Sequence, residues 1–253
     1  MKTVIIIPAR YHSSRLPGKP LLRETGKYLI QHVCERAGRA KNIDGVIVAT
    51  DDSRIVAAVE SFGGRAIMTS ADHVSGTDRV AEVAQGLDAE AIINLQGDEP
   101  LIEPSAIEML PALLEWNSES VMATLAVPLT SMERWQNPNC TKVVCDDRGR
   151  ALYFSRSPIP YVRDGQPDFA AAPPQFLQHL GVYAYRRAFL LRLAASAPAP
   201  LEQLEKLEQL RALALGRAIQ VGIVAHSSPG VDTYEDYQEF VRIYRKEVSS
   251  RAA

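Results

Sequence analysis

At 253 residues, 46% of them hydrophobic, the chain can bury a sizeable core and fits one large α/β domain or one domain with a substantial insertion. Its formal net charge of -2 argues against nonspecific nucleic-acid binding, so a negative ligand must be met by a local cluster of basic groups. Cys34, Cys140 and Cys145 are odd in number and lack zinc-type spacing, as expected of reduced cysteines in a cytosolic protein.

Residues 3–7 (TVIII) are a short β-branched run, as in a strand buried on both faces. The apolar start is too short for a signal peptide or a membrane span, and Pro8 ends it, so a soluble, cytoplasmic protein with no membrane partner is expected. A Gly/Pro/Ser-containing loop follows, then a helix over 29–41. A second strand spans 45–50 (GVIVAT) and closes on Asp51 and Asp52. Residues 53–62 read as a helix stopped by Gly63 and Gly64. A short strand at 65–69, a helix over 78–87 and a buried strand at 91–95 complete the first part. This βαβ rhythm implies a mostly parallel sheet with right-handed crossovers. Ligands of such sheets lie beyond the carboxyl ends of the strands, so Pro8, Asp51 and Gln96 should gather at one mouth.

The middle differs. Residues 121–127 and 142–145 are strand-like, 164–175 form an exposed loop, and 179–185 (HLGVYAY) alternate as a strand. Helices are expected over 188–195 and 201–215, separated by Pro198 and Pro200. A last strand at 220–224 and a terminal helix over 233–247 follow. No internal repeat is present.

The loop from Pro8 to Pro20 is the richest in chemistry. It places Arg10, Arg15 and Lys19 among Ser13, Ser14, Pro17 and Gly18. Cations so close repel one another unless an anion neutralises them, and guanidinium groups fork onto phosphate oxygens. It matches neither GxxxxGK[ST] nor GxGxxG. A solvated basic loop is the competing reading.

Asp98, in the NLQGDEP segment after a buried strand, points into the expected crevice. A carboxylate with triphosphate oxygens is the usual way to hold Mg²⁺. A turn aspartate capping the next segment is equally open. Asp232, in PGVDT after the last strand, is a second metal-carboxylate candidate. Alone it reads better as a helix cap, and only the pairing with Asp98 reverses that. For an acceptor, Arg156 follows Tyr153 and Phe154, and His179 opens a strand. Glu208 shares an apolar helix face with Leu201 and Leu204, where a carboxylate needs a partner or a polar ligand. An ordinary satisfied His179 and an exposed Glu208–Arg211 pair are the bland alternatives.

These motifs closely resemble the 3-deoxy-manno-octulosonate (Kdo) cytidylyltransferase family, the CMP-Kdo synthetases. The resemblance spans nearly the whole chain: IIPARYHSSRLPGKPL (6–21), IVATDD (47–52), ADHVSGTDR (71–79), NLQGDEPLI (94–102), MATLAVP (122–128), ALYFSRSPIPY (151–161), HLGVYAYR (179–186), PLEQLEKLEQLR (200–211) and PGVDTYED (229–236). It implies a Rossmann-like nucleotide-diphospho-sugar transferase fold, α/β with a mixed, mostly parallel central sheet flanked by helices and a smaller dimerisation subregion. It implies one nucleotidyltransferase domain over 1–253. Residues 1–120 would mainly bind CTP, roughly 121–190 would serve dimerisation and sugar binding, and 191–253 would complete the sheet and metal site.

By the same resemblance, Ala9, Arg10, Ser14, Arg15, Lys19, Ser75, Gly76 and Arg79 are expected at the nucleotide. Gln96, Arg156, His179, Tyr183, Glu208 and Gln209 are expected around the sugar acid. Asp98 and Asp232 match magnesium ligands, and Lys19, Arg10, Asp98 and Asp232 the catalytic set. The implied reaction joins CMP from CTP to the anomeric hydroxyl of Kdo, for lipopolysaccharide synthesis, in a cytoplasmic homodimer. A related acid sugar, an 8-amino Kdo analogue or sialic acid, is the nearest alternative. A non-catalytic nucleotide-binding protein is the alternative from another class. The chain departs from the family pattern at GKYLI (26–30), at a short AHSSPG segment (225–230) and in the loop 164–175.

Overall fold

The computed structural model describes residues 1–12 and 15–252. Ser14, an expected nucleotide contact, lies outside the described residues, as does Ser13. The chain forms two compact units, one of Lys2–Glu108 with Ser228–Ala253, the other of Met109–Ser227.

The first unit opens with β1 (Thr3–Ala9), followed by α1 (Leu29–Ala37), β2 (Gly45–Thr50), α2 (Ser53–Ser61), β3 (Arg65–Met68), α3 (Gly76–Gln85) and β4 (Ala91–Asn94). The strands lie in the order β3-β2-β1-β4, every pair parallel. Ile5, Ile6 and Ile7 have no exposed surface, which is why β1 reads as an unbroken apolar run. Ala9 lies beside Thr50 and Ile6 beside Asn94, so β1, β2 and β4 end towards the same edge.

Helix limits differ from expectation where caps decide them. Gly38 ends α1 short of residue 41. A capping box between Ser75 and Asp78 starts α3 at Gly76, ahead of residue 78. No element is expected from the sequence over 104–116, where the structure has α4 (Pro104–Trp116) with Pro111 in its interior.

The second unit contains β5 (Met122–Pro128), α5 (Met132–Gln136), β6 (Lys142–Cys145), β7 (Ala151–Ser155), β8 (Leu177–Arg186), α6 (Arg187–Ala194), α7 (Pro200–Glu205), α8 (Gln209–Ala214) and β9 (Ile219–Ile223). β5 pairs antiparallel with β8 and parallel with β9. β6 pairs antiparallel with β7 and with β8. Strand β7 was not anticipated. Its hairpin turns at Asp146, whose Oδ1 accepts from Arg148 N and Arg150 N, and at Gly149, whose φ of 71° suits glycine. The last helix, α9 (Tyr234–Ala252), belongs to the first unit and packs Tyr237, Phe240 and Val241 with Leu16 and Leu29. No helix of the described residues is long and apolar enough to cross a membrane.

The expected helix over 201–215 is a correction: it is two helices, broken where Lys206 adopts a left-handed φ of 54°. Glu208 therefore stands at the N-cap of α8 and shares no continuous face with Leu201 and Leu204. Arg211 folds back onto Glu202 through two hydrogen bonds and donates to Leu193 O at 3.1 Å. The carboxylate partner holding Arg211 is thus the buried Glu202. Removing one charge of a buried pair leaves the other uncompensated. Glu202→Gln is expected to lower unfolding free energy by about 3 kcal/mol, read from the urea midpoint. An unchanged midpoint would remove this pair from the account of the helix break.

Candidate active site

The carboxyl ends of β1 and β4 open onto a cleft of about 390 Å³, lined by Ala9, Arg10, His12, Arg15, Lys19, Gly76, Gln96, Gly97, Asp98 and Asp232, among others. Close approach shapes it. A Cβ at Gly97 would lie 3.1 Å from Pro8 O, so the turn after β4 is held to glycine. Gly18, at φ 69°, donates to Tyr11 O at 3.0 Å and closes the basic loop at its neck.

Within the cleft the Lys19 amine lies 2.7 Å from Asp98 Oδ2 and 3.6 Å from Asp232 Oδ1, and donates to Val231 O at 2.9 Å. Arg15 Nη2 meets the same Asp232 oxygen at 3.0 Å. Arg10 Nη2 donates to His73 O at 2.7 Å. Arg10, Arg15 and Lys19 against Asp98 and Asp232 leave one positive charge in excess in the lining. The basic loop is therefore not merely solvated, because two of its cations sit on Asp98 and Asp232.

The capping question at Asp232 is settled by its neighbours. Thr233 Oγ1 accepts from Asp236 N, and Asp236 Oδ2 accepts from Thr233 N and Asp232 N. Thr233 and Asp236 start α9 between them, and the Asp232 carboxylate faces the cations. Burial pushes the Glu99 carboxyl up to about 7, with the Asp98 charge adding to it.

Other expected nucleotide contacts are placed variously. Gly76 lines the cleft, where a Cβ would touch the Pro8 ring at 3.4 Å. Ser75 caps α3. Arg79 has no exposed surface; it pairs with Asp51 at 2.8 Å and donates to Thr69 Oγ1. It is thus tied to the ends of β2 and β3 and is not part of the cleft lining. Gln96, expected instead at the sugar acid, lines the same cleft and donates to Asn94 Oδ1 at 3.3 Å.

The remaining acceptor candidates lie in the second unit. Tyr183 Oη donates to Gln209 Oε1 at 3.2 Å, and the rings of His179 and Tyr183 lie 5.4 Å apart. Gln209 is 3% exposed, and its Nε2 has no hydrogen-bond partner, which is costly unless something else accepts from it. Arg156 donates to Glu205 O at 2.7 Å and Pro138 O at 3.0 Å, bracing the turn that leads to Glu208. His179 is buried, and burial pushes its imidazole down to about 3. Thr124 Oγ1 donates to Val182 O at 2.8 Å, which leaves it to accept from His179 Nε2 at 3.0 Å.

A neutral buried histidine has a pH consequence. The unfolded chain takes up a proton near pH 6.5, whereas the folded chain does so only near 3. Its contribution is present above pH 6.5 and lost as pH falls towards 3, amounting to about 2 kcal/mol between pH 7 and pH 5. The unfolding free energy of a His179→Gln variant should depend less on pH across that window. Parallel pH profiles of variant and parent would contradict a neutral His179.

With this geometry in place, comparison with known proteins is decisive. Residues 4–219 match the family model for cytidylyltransferases. A 3-deoxy-manno-octulosonate cytidylyltransferase of Syntrophobacter fumaroxidans is 53% identical over 246 residues, covering 96% of this chain and 97% of that protein. One from Syntrophotalea carbinolica is 52% identical over 239 residues, covering 93% and 96%. The chain belongs to the 3-deoxy-manno-octulosonate cytidylyltransferase family. A solved CMP:2-keto-3-deoxy-manno-octonic acid synthetase, complexed with CTP, superposes on this cytidylyltransferase with a TM-score of 0.90 at 46% identity, covering 98% of this chain and all of that one. The expected mixed α/β nucleotidyltransferase fold is therefore the observed one.

Several lining residues of this cytidylyltransferase were not singled out from the sequence. His12 lies in the basic loop and belongs to no motif of its own. Gly97 carries no chemistry of its own, and only the close approach of two backbones reveals why it is there.

Proposed function

We propose that this cytidylyltransferase transfers CMP from CTP to the anomeric hydroxyl of Kdo, releasing pyrophosphate. The observation that carries the proposal is the Lys19 ammonium between Asp98 and Asp232, with Arg10 and Arg15 on the same cleft. The relatives' named activity and the CTP bound by the solved synthetase supply the nucleotide and the sugar.

Mg²⁺ fits this donor set. Among the described residues no group of three or more His, Cys, Asp or Glu side chains could hold a metal alone. Two carboxylates completed by triphosphate oxygens are a usual magnesium arrangement, and a cationic ammonium already lies against Asp98 and Asp232. When bound there, the ion would neutralise phosphate charge and lower the pKa of the sugar hydroxyl.

The protein's own work is positioning and charge stabilisation. The anomeric oxygen forms a bond to the α-phosphorus as the bond to the bridging oxygen of pyrophosphate breaks. Arg10, Arg15 and Lys19 meet the triphosphate, whose negative charge moves onto the leaving pyrophosphate. Ser75 and Gly76 present the N-terminus of α3, and Arg79 anchors the neighbouring rim through Asp51. In the second unit, the unpartnered Nε2 of Gln209 supports a polar acceptor there, a role shared with Arg156, Tyr183 and Glu208. His179, the other expected sugar contact, lies beside this group with its ring 5.4 Å from that of Tyr183. The family resemblance further supports a homodimer built on the 121–190 region.

Pyrophosphate release from CTP and Mg²⁺, measured with Kdo, 8-amino Kdo and sialic acid, tests the assignment. Release with Kdo foremost is expected, falling when Mg²⁺ is omitted or CTP is replaced by UTP or ATP. Preference for another sugar would move the chain to a sibling specificity. No release with any sugar would return it to a non-catalytic nucleotide-binding role.

A further inference from the structure

The neck of the basic loop is braced by residues outside the cleft lining. Gly18 donates to Tyr11 O at 3.0 Å, and a Cβ at Gly18 would lie 3.4 Å from two ring atoms and the phenolic oxygen of Tyr11. Tyr11 therefore sets the neck through both its backbone and its ring. Arg10 precedes it and Lys19 follows Gly18, so the neck fixes where two of the loop's three cations emerge. The Arg54 guanidinium stacks on the Tyr11 ring, 3.4 Å from its centroid. Arg54 is itself held in place: Nε meets Asp52 Oδ1 at 2.9 Å and Nη2 meets Oδ2 at 2.6 Å. Asp52 also accepts from Arg54 N as the N-cap of α2, immediately beyond the end of β2. The start of α2 thus reaches through Arg54 to the neck of the loop. Among the described residues, Tyr11 and Arg54 are not part of the cleft lining.

We infer that Arg54 is a positioning residue for triphosphate binding, acting through the Tyr11 ring on the neck of the loop. The inference rests on the loop being the CTP site. A cation over an aromatic ring gives its attraction without a ligand charge nearby, and Asp52 fixes the planar group in the stacking orientation. A loop pre-set in this way loses less freedom when nucleotide binds.

The test is a double-mutant cycle followed by steady-state kinetics with CTP and Kdo varied separately. Arg54→Leu is expected to raise the KM for CTP roughly 2- to 5-fold, the range a partly exposed cation–π contact implies, with kcat and the KM for Kdo little changed. Arg54 is half-exposed, so the melting temperature should hardly move. Tyr11→Leu should raise the same KM, and Tyr11→Phe, which keeps the ring, should recover most of it. In the Tyr11→Leu background, Arg54→Leu should add nothing. Additive effects would mean that Arg54 meets the nucleotide directly and would overturn the inference. So would an unchanged KM for CTP, or parallel losses in both KM values and melting temperature. Absent turnover in the parent protein would defeat the CTP reading itself, which separates the two failures.

Discussion

Asp98→Asn is expected to lower kcat roughly 10²- to 10³-fold, equivalent to about 3–4 kcal/mol of transition-state stabilisation. The substitution keeps the shape of the side chain and removes one charge, so the turn after β4 should persist. Its effect on nucleotide binding has the opposite sign. With the Asp98 carboxylate gone, Lys19 loses the anion 2.7 Å away and the cleft gains a second positive charge in excess. CTP binding measured by calorimetry without Mg²⁺ should survive or tighten, while turnover at saturating Mg²⁺ collapses. This split distinguishes a lost metal carboxylate from a misfolded site, which would lose both. Near-normal kcat in saturating Mg²⁺ would sink the assignment of Asp98.

The sequence made the strand ends legible because a buried parallel strand writes itself as an unbroken β-branched run. Pro8, Gln96 and Asp98 could be placed at one mouth on that ground alone, whereas Asp51, expected with them, is not in the cleft lining and pairs with Arg79. Asp232 could not be decided, since Asp232 and Thr233 are both competent caps. The choice rests on Asp236, whose carboxylate takes the backbone donors and leaves Asp232 to the cations. The helix break at Lys206 was invisible to periodicity because its cause is tertiary: Arg211 reaches back to Glu202 across the turn. Helix α4 was not expected from the sequence, and its interior Pro111 is a residue whose local preference the rest of this apolar helix overrides. Pairings such as Arg54 on Tyr11, and Arg79 on Asp51, join segments that only the sheet brings together. Residue types therefore announced the charged loop, while the supports that aim it had to come from the fold.

Lys19→Met carries the other large effect, and it acts on two ligands in opposite directions. Loss of a charge-assisted contact to phosphate, worth about 1.5–3 kcal/mol, should raise the KM for CTP roughly 10- to 100-fold. Yet without nucleotide the Lys19 amine is the counter-cation of Asp98 and Asp232 and is only 14% exposed. A divalent cation entering that position must compete with the ammonium for the same carboxylate oxygens. Removing the ammonium frees Asp98 and leaves Asp232 only the exposed Arg15, so Mn²⁺ binding to the nucleotide-free Lys19→Met protein, followed by electron paramagnetic resonance, should tighten about 5-fold or more. By the same linkage, a triphosphate that draws Lys19 towards its own oxygens raises metal affinity, and bound metal raises nucleotide affinity by an equal factor. The parent protein should accordingly bind Mn²⁺ weakly alone and more tightly with a non-hydrolysable CTP analogue, and that cooperativity should shrink in Lys19→Met. If the variant binds Mn²⁺ no better than the parent, the ammonium and the metal do not share the two aspartates, and Lys19 serves the phosphates alone.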